Sequence, residues 1–419
     1  MSRPGEGPLP RLFVSAMVVD ALGSGMFMPF ALLYFVRVQH LSVGTVGGAL
    51  TAANLVLIAA SAPLGRLVQS YGPMRALTAG NALRTPLFVL YAVALPAPVA
   101  IGALVLSAVL DKAVWVSLGA SIAGLAKGPA ARRAFSTVGW ARNIGLCLGS
   151  LVGGVLASAQ SATGLRVIVL VNAASFAVTT LVLLRLRGRA AAAPATGRKE
   201  AAAGAGGALD VLRRPGFALL TAAKTCFTVC ATVVSMFTGL YLVDHTDLAG
   251  WAAGTVLAVN GGLVVLFQQT LVRRTADRPA PRMMLLGGLL YAAAGLGFAL
   301  LTPLREDAPA VLLVLALAAM TVYTLGEIVI APASDGHAAD LAPRGTEAAC
   351  MSVYQSSWSV ASVLVPVTGS WLLVASPGGF WTVFAAVALL GTGLSALLAR
   401  IPVPSAEPAV QEEDARPAG

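Results

Sequence analysis

Charge is what this sequence lacks most. Only 11% of its 419 residues are Asp, Glu, Lys or Arg, against about 25% in a soluble domain. Histidine is scarcer still. His40, His245 and His337 are the only three, and all are expected in loops. The sequence therefore offers no metal cluster, nucleophile–base pair or paired-acid motif for an enzyme to use. "DHTD" (244–247) reads more simply as a solvated outer loop. No GxxxxGK[ST] occurs, which excludes a P-loop ATPase and leaves an ion or substrate gradient as the energy source. Cys147, Cys226, Cys230 and Cys350 all fall in apolar runs and read as small core residues without disulfides. Cys226 and Cys230 share a helix face but have no His or acid beside them, so no metal or other cofactor is expected. The first apolar run is too long for a cleaved signal peptide, and no small-residue cleavage site follows it.

Apolar residues are in excess, at 57% of the chain. They come in blocks of about 20 or more, the length that crosses a bilayer. Twelve spans are expected: about 12–36, 44–68, 75–95, 98–125, 134–158, 164–186, 216–243, 249–272, 283–303, 309–333, 347–375 and 379–400. The fold class is all-α integral membrane, with both termini on the cytoplasmic side of the cell's inner membrane. Basic residues support this topology. Twenty-one Lys and Arg fall on expected inside segments, and only Arg37, Arg166 and Arg305 fall outside. The net charge of +10 is thus mainly a topology signal, with no nucleic-acid partner implied.

The domain organisation follows from these spans. Residues 1–11 are a cytoplasmic N-terminus, 12–186 a first six-helix bundle and 187–214 an Ala/Gly-rich, basic linker. A second bundle covers 215–400, and 401–419 are expected to be disordered. The halves look related. "GPMRALTAG" (72–80) and "APRMMLLGG" (280–288) place Pro73/Pro281, Leu77/Leu285 and Gly80/Gly288 in register. On flank spacing, Asp20 of span 1 matches Lys224 of span 7. Such repeats are typical of secondary transporters.

Seven ionisable residues lie inside the expected spans: Asp20, Arg84, Asp111, Lys112, Arg142, Lys224 and Glu327. Each costs at least about 2.5–3.5 kcal/mol at a bilayer centre. Three acids against four bases permit pairing, and together they read as a solvated pathway. Asp20, Arg84, Arg142 and Lys224 are expected at roughly 12–14 Å depth, at 1.5 Å per residue, with Glu327 about six residues from the inner end of its span. Asp111 and Lys112 are adjacent in "VLDKAVW". Neighbours on a helix point about 100° apart, so each should meet a different partner. Trp115 could stack on a hydrophobic ligand, although packing would equally place it there.

Several motifs resemble the major facilitator superfamily. "GRLVQSYGPMRAL" (65–77) is similar to its cytoplasmic loop signature at Gly65, Gly72 and Arg75, with Gln69 where the family's gating Asp stands. "GWARNIGLCLGSLVGG" (139–154) resembles the glycine-rich antiporter motif at Gly145, Gly149, Gly153 and Gly154, with Ser150 for the usual Pro. "DALGSGMFMPF" (20–30) is similar to a drug-exporter pattern, and "YTLGEIVIAPASD" (323–335) to branches with Gly-Glu and a Pro five residues after the Glu. The resemblance implies two six-helix bundles related by a pseudo-twofold, with helices 1, 4, 7 and 10 around a central cavity. Those spans hold Asp20, Asp111/Lys112, Lys224 and Glu327.

It further implies a monomeric, lipid-embedded transporter of a small amphipathic molecule and protons, resembling the drug:proton antiporter branch. Asp20, Glu327 and Asp111 are the candidate proton carriers. Lys112, Lys224, Arg142, Arg84 and Trp115 are candidate cavity or substrate groups, with Lys112 favoured as the cavity-facing member of its pair. A proton-coupled uptake symporter and a receptor without flux are the alternatives.

Overall fold

The computed structural model describes residues 11–125, 128–157, 162–187, 211–275, 278–306, 308–341 and 347–401. The expected linker and tail lie largely outside them. Twelve helical segments stand where twelve spans are expected. They are α1 (Arg11–Arg37), α2 (Val43–Tyr71), α3 (Pro73–Leu90), α4 (Ala97–Leu125), α5 (Gly128–Ala157) and α6 (Ala162–Arg187). The second six are α7 (Pro215–Asp244), α8 (Gly250–Thr275), α9 (Ala280–Ala299), α10 (Pro309–Leu341), α11 (Glu347–Ala375) and α12 (Pro377–Leu398). Eleven of them are long and apolar enough to cross a membrane. The exception is α3, whose 18 residues include Arg75, Asn81 and Arg84.

Local sequence sets several boundaries. Ser42 caps α2 by accepting from the Thr45 amide at 3.0 Å, and Ser376 caps α12 through the Gly379 amide at 3.1 Å. Proline opens α3, α7 and α12 in their first turns, where its missing N–H leaves no hydrogen bond unmade. Gly72 joins α2 to α3 at φ 92°, which a side chain would disfavour. Within α1, Pro29 lies in a 3-10 turn at Met28–Phe30 that interrupts the α-helix.

The two halves pack alike. In the first, α1 packs on α5 and α6, α3 on α4 and α6, and α2 on α4. In the second, α7 packs on α11 and α12, α9 on α10 and α12, and α8 on α10. The contacts that cross between halves also exchange under this operation: α5 meets α8, and α2 meets α11.

The repeat reaches single residues. Tyr34 donates to the Tyr91 carbonyl, and Tyr241 donates to the Phe298 carbonyl at 2.7 Å. His40 and Asp247 both take φ 54°. Arg37 and Asp244, 207 residues apart, pair with each other at 2.5 Å. The structural offset over α1–α3 is therefore 207, one less than the 208 read from the sequence motifs. Met17, rather than Asp20, is the counterpart of Lys224. The sequence register was drawn to matching Pro and Gly letters, whereas packing follows helix starts, which fall at Pro73 and Ala280.

Two further expectations are corrected. Helix α10 runs to Leu341, beyond the expected end at 333, because Pro332 is accommodated inside it. Glu327 is therefore near mid-helix, roughly 21 Å from the inner end at 1.5 Å per residue. His337, expected in a loop, is a buried residue of this helix.

Candidate functional site: a charged cavity between the halves

A cavity of about 750 Å³ lies between the two halves. Among the described residues its acidic and basic lining consists of Asp20, Arg84, Asp111, Arg142 and Glu327. Four of these form one network on the first half. Arg142 Nη1 binds Asp20 Oδ2 at 2.7 Å, and Arg84 Nη1 approaches Asp20 Oδ1 at 3.5 Å. Arg84 Nη2 then pairs with Asp111 Oδ1 at 2.8 Å. Helices α1, α3, α4 and α5 each supply one member.

Aromatic rings hold the guanidinium planes. Arg84 lies 3.7 Å over the Phe176 ring, and Arg142 lies 4.5 Å over Trp115. The two acids differ in access. The Asp20 side chain is 3% exposed and that of Asp111 44%. Asp20 is thus a buried anchor between two cations, while Asp111 opens to the cavity.

The adjacent pair separates as helix geometry requires, but opposite to the favoured order. Asp111 lines the cavity, whereas Lys112 is exposed and outside the lining. Arg84 on α3 attracts the carboxylate, and the 100° turn of the helix then carries Lys112 away.

Across the cavity, Glu327 Oε2 accepts from Asn260 Nδ2 at 2.8 Å. The same amide nitrogen reaches Thr324 Oγ1 at 3.0 Å. Tyr291 and Tyr323 stack behind it with centroids 4.6 Å apart. No ion pair to Glu327 occurs among the described residues. Asn260 was missed in the sequence, although a lone amide in "LAVNGGLVV" (257–265) is itself a signal.

Lys224 lies elsewhere. Its Nζ is 3.4 Å from Asp335 Oδ1 and from Ser334 Oγ, and 5.2 Å from the Tyr354 ring centroid. Tyr354 donates to Asp335 Oδ1 at 2.6 Å. Asp335 escaped notice because the expected span ended two residues before it. Trp115, 58% exposed, lines the cavity; Trp358 does not.

The glycine motif of α5 is a packing surface. Side chains at Gly145, Gly149 or Gly153 would collide with the α1 backbone near Val18, Leu22 and Met26. A side chain at Gly154 would meet the backbone of Gly254 on α8 at 2.6 Å. Gly65 and Arg75 of the loop motif touch nothing in the cavity, and the Gln69 side chain falls outside the described residues.

Contacts between the halves gather at one end, called outer after the expected topology. There Gly154 meets Gly254, Gly47 meets the Pro366 carbonyl, and Gly239 meets the Pro29 carbonyl. Arg37 and Asp244 bridge the same end, and Thr51 donates to the Val363 carbonyl at 2.8 Å.

Known proteins place this architecture. Among solved structures, the nucleoside transporter NupG matches at TM-score 0.75 with 12% identity, over 93% of this chain and 99% of its own. A POT family transporter in complex with a thioalcohol-conjugated peptide matches at 0.71 with 13% identity, over 93% and 95%. A bacterial homologue of the human lysosomal transporter Spinster, inward-facing and unoccupied, matches at 0.69 with 13% identity, over 93% and 96%. At such identities the likeness is one of fold. No curated protein matches in sequence. The family model of the Major Facilitator Superfamily matches residues 13–333, about three quarters of the sequence, and the chain belongs to that family.

Proposed function

We propose that this secondary transporter exports a small amphipathic molecule across the cytoplasmic membrane in exchange for protons, by alternating access. The cavity carries the reading. It lies between two repeat-related halves, is mostly apolar, and receives carboxylates from both sides. Closure at the outer end supports an inward-facing state, with the cytoplasm as the side of substrate entry. A closed cavity also favours release or capture of a proton, because loss of water changes the balance between desolvation and nearby charge.

The carboxylates divide the work. Asp20 sits between two guanidiniums and serves as the charge that holds α1, α3 and α5 together. Glu327, with an amide as its hydrogen-bond partner, is the principal proton carrier, and Asp111 is the second. Lys224 and Asp335 form a separate pair nearer the inner mouth.

Everted vesicles test the direction. With an imposed inward-acidic gradient they should accumulate at least one of a panel of small amphipathic probes, cationic, neutral and anionic, with ethidium as the cation, and intact cells should exclude it. Glu327→Gln should abolish the proton-driven component. Accumulation by intact cells instead would favour the uptake symporter, and no movement in either preparation would favour the receptor.

A further inference from the structure

We infer that the substrate is an organic cation, and that Glu327 is the group that receives its charge. This rests on the transport reading and adds the sign of the substrate to it. The four acidic and basic groups on the first-half wall neutralise one another: Arg142 on Asp20 at 2.7 Å, Arg84 on Asp111 at 2.8 Å, with Arg84 also 3.5 Å from Asp20. One face of each guanidinium is covered by a ring as well. An anionic substrate therefore finds no unneutralised base among the described residues of that wall. Lys224, the remaining buried Lys or Arg among the described residues, is outside the cavity lining and already faces Asp335.

Glu327 is the charge left over. It lines the opposite wall, and its described polar partners are neutral: the Asn260 amide at 2.8 Å and the nearby phenols of Tyr291 and Tyr323. A carboxylate so placed is destabilised until a proton or a cation joins it. A divalent metal ion is disfavoured, since Ca²⁺ or Mg²⁺ needs about six or more oxygen ligands and no cluster of three acidic, His or Cys side chains occurs among the described residues. Most of the remaining wall is apolar or aromatic, with Phe35, Phe88, Trp115 and Met320, interspersed with neutral polar side chains such as Asn143, Asn172 and Gln268. A bulky, weakly hydrated organic cation satisfies the carboxylate and these surfaces together.

The test is equilibrium binding to the purified full chain in detergent, which does not depend on flux or its direction. The probes are tetraphenylphosphonium and tetraphenylborate, ions of similar shape and opposite sign. Saturable binding of the phosphonium is expected, with the borate far weaker. Glu327→Gln should weaken the phosphonium by about tenfold or more, while Glu327→Asp, which keeps the charge, should retain most of the affinity. Thermal unfolding of each variant verifies its fold. Equal binding of the two ions, no saturable phosphonium binding, an unchanged Glu327→Gln, or an equal loss in Glu327→Asp would each overturn the inference. Binding as expected but with no proton-driven flux would instead sink the transport reading alone.

Discussion

Asp20 is held by two arginines and its side chain is nearly buried, so its partners matter more than its own hydration. Breaking a buried pair by removing one member costs about 3–5 kcal/mol. Arg142→Met should therefore lower the midpoint of thermal unfolding in detergent markedly. Pairing it with Asp20→Asn should recover part of the loss, because no uncompensated charge then remains. An additive double mutant would contradict the network. Lys112 supplies the contrast. It is exposed and outside the cavity lining, so Lys112→Gln should leave probe binding and flux near the parent level.

Helix α5 is the element that joins both neighbours of the cavity wall. Its inner-facing glycines lie against α1, and Gly154 lies against Gly254 of α8. Small residues allow such close backbone approach between membrane helices. Gly154→Val should push α5 from α8 at the outer end and favour opening there. A cysteine introduced at Ser150, a cavity-lining position, should then react faster with a membrane-impermeant maleimide added from outside. An unchanged labelling rate would show that the contact does not hold the gate. Close backbone approach is what these glycines permit at both contacts.

At the scale of the whole molecule, Arg37 and Asp244 occupy equivalent places in the two halves, and the pseudo-twofold brings them together. Their side chains are 30% and 23% exposed, so solvent screens the pair and its contribution is only about 0.2–1 kcal/mol. Asp244→Asn should thus shift the population of outer-closed molecules by no more than about fivefold. The exchange Arg37→Asp with Asp244→Arg should restore it, since the two sites are related by the repeat. Distance measurements between spin labels at the outer ends of α2 and α11 would report the shift.

Class and the number of helical segments were legible in the sequence because hydropathy is a local property. Each apolar run can be recognised without knowing its neighbours. Which spans carry charge was legible for the same reason, since Asp20, Arg84, Asp111, Arg142 and Glu327 stand out against apolar surroundings. Who meets whom was not. That Asp20 lies between Arg84 and Arg142, that Asp111 rather than Lys112 turns to the cavity, and that Glu327 faces Asn260 depend on the rotation of each helix about its axis. Rotation is fixed by close packing between helices far apart in sequence, such as α1 against α5 and α5 against α8. The one-residue difference in the repeat offset has the same origin. Sequence by itself determined an all-helical membrane chain of twelve helical segments with charges on particular ones; tertiary structure decided which charges cancel and left Glu327 without an ion-pair partner among the described residues.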